Sequence, residues 1–270
     1  MKKIAFIGAG NMAKAIIIGL VNSGVDAKNI MVANPSAEKR IQLSSEFGVQ
    51  QTSDNIEAAT FADIIVLSVK PHFICDVCQQ LAKSLDITKK LFVSVAAGTT
   101  VAQIQQALNC NAALVRVMPN TPAQLGLGMS GLFASSEVSD VQKAASDKLM
   151  SAVGKIIWLK SEDKINDIIA VAGSAPAYFF LFMEAMEKQA QTLGFSSEES
   201  RMLVQQTALG AAQMVEHNSA PISTLRENVT SKGGTTFAAL EQFKKDGIEQ
   251  MVSNAMNAAI TRAQEMAKEG

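Results

Sequence analysis

The chain is poor in the residues on which several kinds of chemistry depend. It has 2 histidines, 3 cysteines, 1 tyrosine and 1 tryptophan in 270 residues. Three cysteines, an odd number, do not make a disulfide framework, and the expected compartment is a reducing one, the cytoplasm. Cys75 and Cys78 form a lone C-x-x-C with no second pair to complete a zinc site, so no metal is expected. An excess of either charge is also missing. Lys and Arg number 24 against 25 Asp and Glu, a net charge of -1 that points to neither a nucleic-acid nor a membrane partner. The uncharged run Ile168 to Met183 is shorter than the roughly 18 residues needed to span a bilayer. Gly173, Ser174 and Pro176 interrupt it, so a buried helix is expected there. Lys2-Lys3, the apolar stretch behind them and Ala13-Lys14-Ala15 imitate a signal peptide, but cleavage there would destroy the element described next, and that reading is rejected.

What is present is a globular composition, 48% hydrophobic and 18% charged, organised from the N-terminus. Ile4 to Ile7 is a short apolar run, Gly8-Ala9-Gly10 interrupts it, and Met12, Ala15, Ile16, Gly19 and Leu20 recur at helical spacing. Strand, glycine turn and helix open a dinucleotide-binding unit. Gly8 allows the tight turn, Gly10 lets backbone approach a pyrophosphate, and Ala13 is small enough for close helix packing. The phosphates then sit on free N–H groups at the helix N-terminus.

Further strands are expected at Ile30–Ala33, 63–69, 91–95 and 113–117, alternating with helices, with two more at Gly128–Ala134 and 156–159. This alternation implies a parallel, doubly wound sheet with its ligand beyond the carboxyl ends of the strands. Five such ends are small, polar or proline-fixed: Gly8-Ala9-Gly10, Asn34-Pro35-Ser36, Val69-Lys70-Pro71, Ala96-Ala97-Gly98 and Met118-Pro119-Asn120. The second strand ends without the Asp or Glu that usually holds an NAD ribose. Asn34, Ser36, Lys39 and Arg40 stand there instead, which favours a 2′-phosphate and hence NADPH over NADH, although Glu38 is close by.

Beyond Leu159 no strand run appears. The expected division is residues 1–160 as a Rossmann-type α/β domain that binds the dinucleotide, and 161–270 as an all-α dimerisation and substrate-binding domain. Tyr178 to Met183 is apolar round the whole helix, which a small helical domain cannot bury alone, so a homodimer core is expected. A second glycine loop, Thr230 to Thr236, feeds a helix and makes a second anion site, with Thr235 or Thr236 expected as its cap.

Candidates for a strong protein acid are few: His72, His217 and Tyr178, the last with Phe182 four residues on where a Tyr-Lys pair needs lysine. An imine substrate, which carries its own basic nitrogen, fits such a site, with its carboxylate on the second anion site.

Gly8-Ala-Gly-Asn-Met12, Val69-Lys-Pro71, Ala96-Ala-Gly98, Arg116-Val-Met-Pro-Asn-Thr-Pro122, Gly173-Ser-Ala-Pro-Ala-Tyr178 and Ser231-Lys-Gly-Gly-Thr-Thr236 resemble the pyrroline-5-carboxylate reductases over essentially the whole length. The resemblance implies reduction of 1-pyrroline-5-carboxylate to L-proline by NADPH, with NADH the alternative. It assigns the pyrophosphate to Gly8, Gly10, Asn11 and Met12, and the adenosine ribose or its phosphate to Asn34 and Ser36. Asn55 becomes a further cofactor contact. Val69, Lys70, Pro71, Ala97 and Gly98 line the nicotinamide. Ser231, Gly233, Gly234, Thr235 and Thr236 cradle the substrate carboxylate, and Thr236 relays the proton. Lys232 stands where that family often has proline, and Ala175 where it has glycine or serine. The family pairs through its helical domain, and some members assemble into decamers.

Two other readings are weighed. A 3-hydroxyacid dehydrogenase needs a lysine-asparagine pair early on the long helix, and 177–187 has neither residue. A non-catalytic NADPH-binding dimeric sensor would not need the Ser231 to Thr236 loop.

Overall fold

The computed structural model describes residues 2–269. In chain order the first elements are β1 (Ile4–Ile7), α1 (Asn11–Asn22), β2 (Ile30–Ala33), α2 (Ala37–Phe47), β3 (Gln50–Thr52), α3 (Asn55–Phe61) and β4 (Ile64–Leu67). Then follow α4 (Ile74–Ser84), β5 (Leu91–Ser94), α5 (Val101–Ala107), β6 (Ala113–Met118), β7 (Gly128–Ala134), α6 (Asp140–Ser151) and β8 (Gly154–Trp158). The rest is helical: α7 (Lys164–Ile168), α8 (Ala175–Thr192), α9 (Ser197–Glu216), α10 (Ile222–Asn228), α11 (Thr235–Lys245) and α12 (Ile248–Glu269).

The eight strands form one sheet in the order β3-β2-β1-β4-β5-β6-β7-β8. β1, β2, β4 and β5 are buried at every residue, as expected of parallel strands covered on both faces. Two cores follow, one on each face. Phe6, Ile16, Leu20 and Val115 belong to one, and Ile7, Ile65, Leu81 and Phe92 to the other.

The sheet departs from the expected parallel pattern once: β7 runs antiparallel to β6. Only a short 3₁₀ segment, Thr121–Leu125, lies between them, too short for the crossover that a parallel pair requires. β8 then pairs parallel with β7 through α6.

The chain divides into two compact units: residues up to Ser174 together with those from Ala259 on, and Ala175–Ala258. This boundary lies further along the chain than the composition change at 160. The charged stretch 160–163 does not leave the first unit, because α7 behind it packs on β6 and β7 with Ile165 buried.

Nor do Gly173, Ser174 and Pro176 break the helix. It continues from Lys164 to Thr192 through one π turn, Ile169–Gly173, and is long and apolar enough by length and composition to cross a membrane. The π turn has a local cause. Pro176 has no N–H for the carbonyl of Ala172, four residues back. Ser174 N–H reaches instead to Ile169 O at 2.7 Å, and the orphaned Ala172 carbonyl is taken by the Asn120 side-chain amide at 3.1 Å. Asn120 Oδ1 accepts from Met129 N–H at 2.9 Å, so one buried side chain joins the end of β6, the start of β7 and the π turn.

In the second unit the expectation of a fully buried α8 is not met within one chain. Phe179, Phe180 and Leu181 are 68%, 62% and 67% exposed, so this apolar stretch of the helix is largely uncovered.

Candidate active site

Each of two helix N-termini opened by a glycine turn is built within its own unit. In the first, β1 lies between β2 and β4 at the point where strand order reverses, and a cavity of about 430 Å³ opens at their carboxyl ends. Gly8 has φ +111°, and a Cβ there would lie 2.6 Å from Ser68 O, so glycine is required on both counts. Gly10 is the N-cap of α1 and offers no side-chain cap, and the first turn carries no acidic residue. The N–H groups of Asn11, Met12 and Ala13 therefore face no intrahelical acceptor, and the helix dipole adds positive potential. Ala13 is fully buried, in keeping with the small third position of the motif.

Of the expected cofactor residues, Gly8, Gly10, Asn34, Asn55, Val69 and Lys70 line this cavity. Asn11, Met12, Ser36, Pro71, Ala97 and Gly98 do not. Asn11 and Met12 open α1, Ser36 is the N-cap of α2, and Pro71 begins a 3₁₀ turn leading into α4. Ala97 and Gly98 form the turn after β5, where Gly98 has φ +80°. Asn34 has a structural task as well: its Oδ1 accepts from Ala9 N–H at 3.3 Å and its Nδ2 donates to Ser36 O at 3.3 Å, tying the glycine turn to the end of β2.

The two cations behind Ser36 are not equivalent. Lys39 lines the cavity, whereas the Arg40 guanidinium donates to Gln51 on β3. Ser36 caps nothing with its own hydroxyl. Sequence reasoning missed Phe73, Asp76, Val77 and Gln80, which line the far wall. Their i, i+3, i+4, i+7 spacing was the available signal, one helical face starting three residues beyond Lys70.

The C-x-x-C lies on α4, where burial pushes the Cys78 thiol up to about 12, with Cys75 adding to the effect. A thiol held protonated in this way is inert. Among the described residues no group of three or more His, Cys, Asp and Glu could hold a metal ion.

In the second unit the loop before α11 is equally specific. Gly233 has φ +73°, and a Cβ on Gly234 would meet Ser231 Oγ at 2.5 Å. Gly234, not a threonine, is the N-cap. Thr235 and Thr236 are the first two residues of the helix, so the expected threonine cap is replaced by a backbone one and neither hydroxyl is spent on capping. Gly234 N–H donates to Ser231 O at 3.0 Å, which closes the loop beneath Lys232 and Gly233. His217, at the C-terminus of α9, is exposed, and Tyr178 Oη is buried with no hydrogen-bond partner.

A nucleotide-sized cavity at the switch point of a Rossmann-type sheet, with a second anion-ready helix terminus in an apolar-faced helical unit, defines a dinucleotide-dependent oxidoreductase of the two-unit kind. Comparison with known proteins narrows the class. Residues 162–266 match the family model for pyrroline-5-carboxylate reductase dimerisation, and residues 3–98 match that for NADP oxidoreductase, coenzyme F420-dependent. The pyrroline-5-carboxylate reductase of Vibrio alginolyticus is 56% identical over 268 residues, covering 99% of this chain and 98% of that one. That of Pseudomonas aeruginosa is 46% identical, covering 99% and 97%. Among solved structures, the Coxiella burnetii enzyme superposes with a TM-score of 0.95 at 42% identity over 98% of both chains. The Plasmodium falciparum enzyme with NADP bound gives 0.87 at 28% identity, again over 98% of both. The chain belongs to the pyrroline-5-carboxylate reductase family.

Proposed function

We propose that the chain reduces the C=N bond of 1-pyrroline-5-carboxylate to give L-proline, the last step of proline biosynthesis, with NADPH as reductant. The observation that carries this reading is the Ser231 to Thr236 loop, a glycine-opened helix terminus whose hydroxyls no cap consumes. A cofactor-binding sensor has no use for it, and a carboxylate-bearing imine does. The Gly8 cradle and the uncapped terminus of α1 fit a pyrophosphate, so the unit that runs to Ser174 holds the dinucleotide, and the unit Ala175–Ala258 holds the substrate and the subunit contact.

When bound, the dinucleotide supplies a hydride to the imine carbon. The chain does the rest. Gly8, Gly10 and the N–H groups of Asn11 and Met12 take the pyrophosphate. Asn34, Ser36 and Asn55 take the adenosine end. Val69, Lys70, Pro71, Ala97 and Gly98 would hold the nicotinamide. Ser231, Gly233, Gly234 and Thr235 bind the carboxylate through N–H and hydroxyl donors. The Thr236 hydroxyl would donate a hydrogen bond to the ring nitrogen and relay to it a proton taken from solvent water, so that the hydroxyl is left neutral at the end of the step.

The apolar faces of α8 are those through which copies pair, in keeping with the dimerisation match at 162–266. Assembly of dimers into a higher oligomer such as a decamer belongs to the same reading. So does residence in the cytoplasm, which the three free cysteines support.

Replacement of Thr236 by alanine tests the proton assignment. Loss of a general acid of this kind is expected to lower kcat by about 100-fold with KM for the imine changed much less. An unchanged kcat removes Thr236 from the mechanism.

A further inference from the structure

We infer that Glu162 is a positioning residue for hydride transfer, acting through the turn that carries Ala97 and Gly98. The inference rests on the reading of that turn as a wall of the nicotinamide site. Glu162 lies in the charged turn before α7, and its Oε1 makes two short contacts. It accepts from the N–H of Val101, the first residue of α5, at 2.7 Å, and from Arg116 Nη1 on β6 at 2.6 Å. The Arg116 side chain is only 8% exposed. Ser94, its register neighbour on β5, is buried with an Oγ that finds no partner. Among the described residues Glu162 is therefore the one anion that compensates the buried guanidinium.

The geometry makes this more than a stabilising pair. The turn between β5 and α5 is fixed upstream by the sheet, where Val95 N–H donates to Leu67 O at 3.1 Å. Downstream it is fixed by the start of α5. There Thr100 and Gln103 form a reciprocal capping box, and Glu162 takes the neighbouring N–H of Val101. The carboxylate thus pins the downstream end of the turn to a guanidinium that β6 holds in the core. Cofactor affinity comes from the pyrophosphate and ribose contacts at the ends of β1 and β2, which Glu162 does not touch. Its removal would let Ala97 and Gly98 shift, and hydride transfer is steeply sensitive to such a shift.

The test compares Glu162→Ala, Glu162→Asp, Glu162→Gln and Ala97→Val, measuring kcat, NADPH affinity by fluorescence, and the isotope effect with NADPH deuterated at the transferred position. Glu162→Ala is expected to lose about 10- to 100-fold in kcat with NADPH affinity held within about twofold and a larger isotope effect. Glu162→Asp keeps the charge for Arg116 but is one methylene too short to reach both partners, and should show the same split if the alanine variant fails to fold. Glu162→Gln, whose amide carbonyl can accept both hydrogen bonds, should stay within about threefold of wild type. Wild-type kcat in the alanine or aspartate variant overturns the inference, as does a proportional loss of kcat and NADPH affinity. Ala97→Val tests the underlying reading separately. A fall in kcat with NADPH still bound places the turn at the nicotinamide, and wild-type behaviour overturns that reading and the inference with it. A fall in Ala97→Val alongside a normal Glu162→Ala refutes the positioning role alone.

Discussion

At the scale of the residue, cofactor choice comes down to which cation is free to act. Lys39 and Arg40 are neighbours in sequence, yet only Lys39 faces the cavity, because the guanidinium of Arg40 is committed to Gln51. Lys39→Ala is expected to raise KM for NADPH about tenfold, the value of one charge-assisted hydrogen bond to phosphate, and to leave KM for NADH unchanged. Arg40→Ala should shift neither by more than about twofold. Steady-state kinetics with both cofactors check this, and equal effects on the two would place the 2′-phosphate elsewhere. Ser36→Glu, which sets a carboxylate at the cap of α2, should repel the same phosphate. The amino-acid order alone could not separate the two cations. Both follow a strand end, and only the packing of α2 against β3 turns one towards the cavity and one away.

Among elements, the parts of the molecule that follow local rules were legible and those that depend on a distant partner were not. The glycine turn after β1 and the apolar strands carry short-range signals, and each is where the sequence puts it. The antiparallel β7 was misread because apolar alternation says nothing of strand direction. The continuity of helix 164–192 was misread because glycine and proline were taken as breakers, when the Asn120 side chain, two residues beyond β6, takes up the carbonyl left free. That repair gives a prediction. Asn120→Leu leaves the Ala172 carbonyl and the Met129 N–H without partners, and is expected to destabilise by about 2–4 kcal/mol at unchanged m-value in urea. Asn120→Asp keeps the acceptor for Met129 but turns a buried carboxylate oxygen towards the Ala172 carbonyl, and should lose at least as much. Equal stability of all three proteins would show that the π turn does not depend on Asn120. The candidate site divides in the same way. The Gly8 and Gly233-Gly234 loops were plain from spacing, whereas Phe73, Asp76, Val77 and Gln80 enter the cavity only because α4 packs beside α3.

For the whole molecule, the same device appears in each unit: a glycine-opened helix N-terminus whose N–H groups no side chain occupies. One is suited to a pyrophosphate and the other to a carboxylate, so the chemistry asks for a ligand of each kind. The exposed Phe179, Phe180 and Leu181 of α8 point to the remaining need, a second copy of the chain, in keeping with the dimerisation match at 162–266. The few acid-base side chains then cease to be a puzzle, because an imine brings its own nitrogen and asks the protein mainly for orientation. The most direct test of this account is the oxidation of NADPH by the purified protein in the presence of 1-pyrroline-5-carboxylate, followed by the loss of NADPH absorbance with proline measured as product. One proline formed per NADPH consumed is the expected result. NADPH bound but not oxidised, or oxidised without proline, would contradict it.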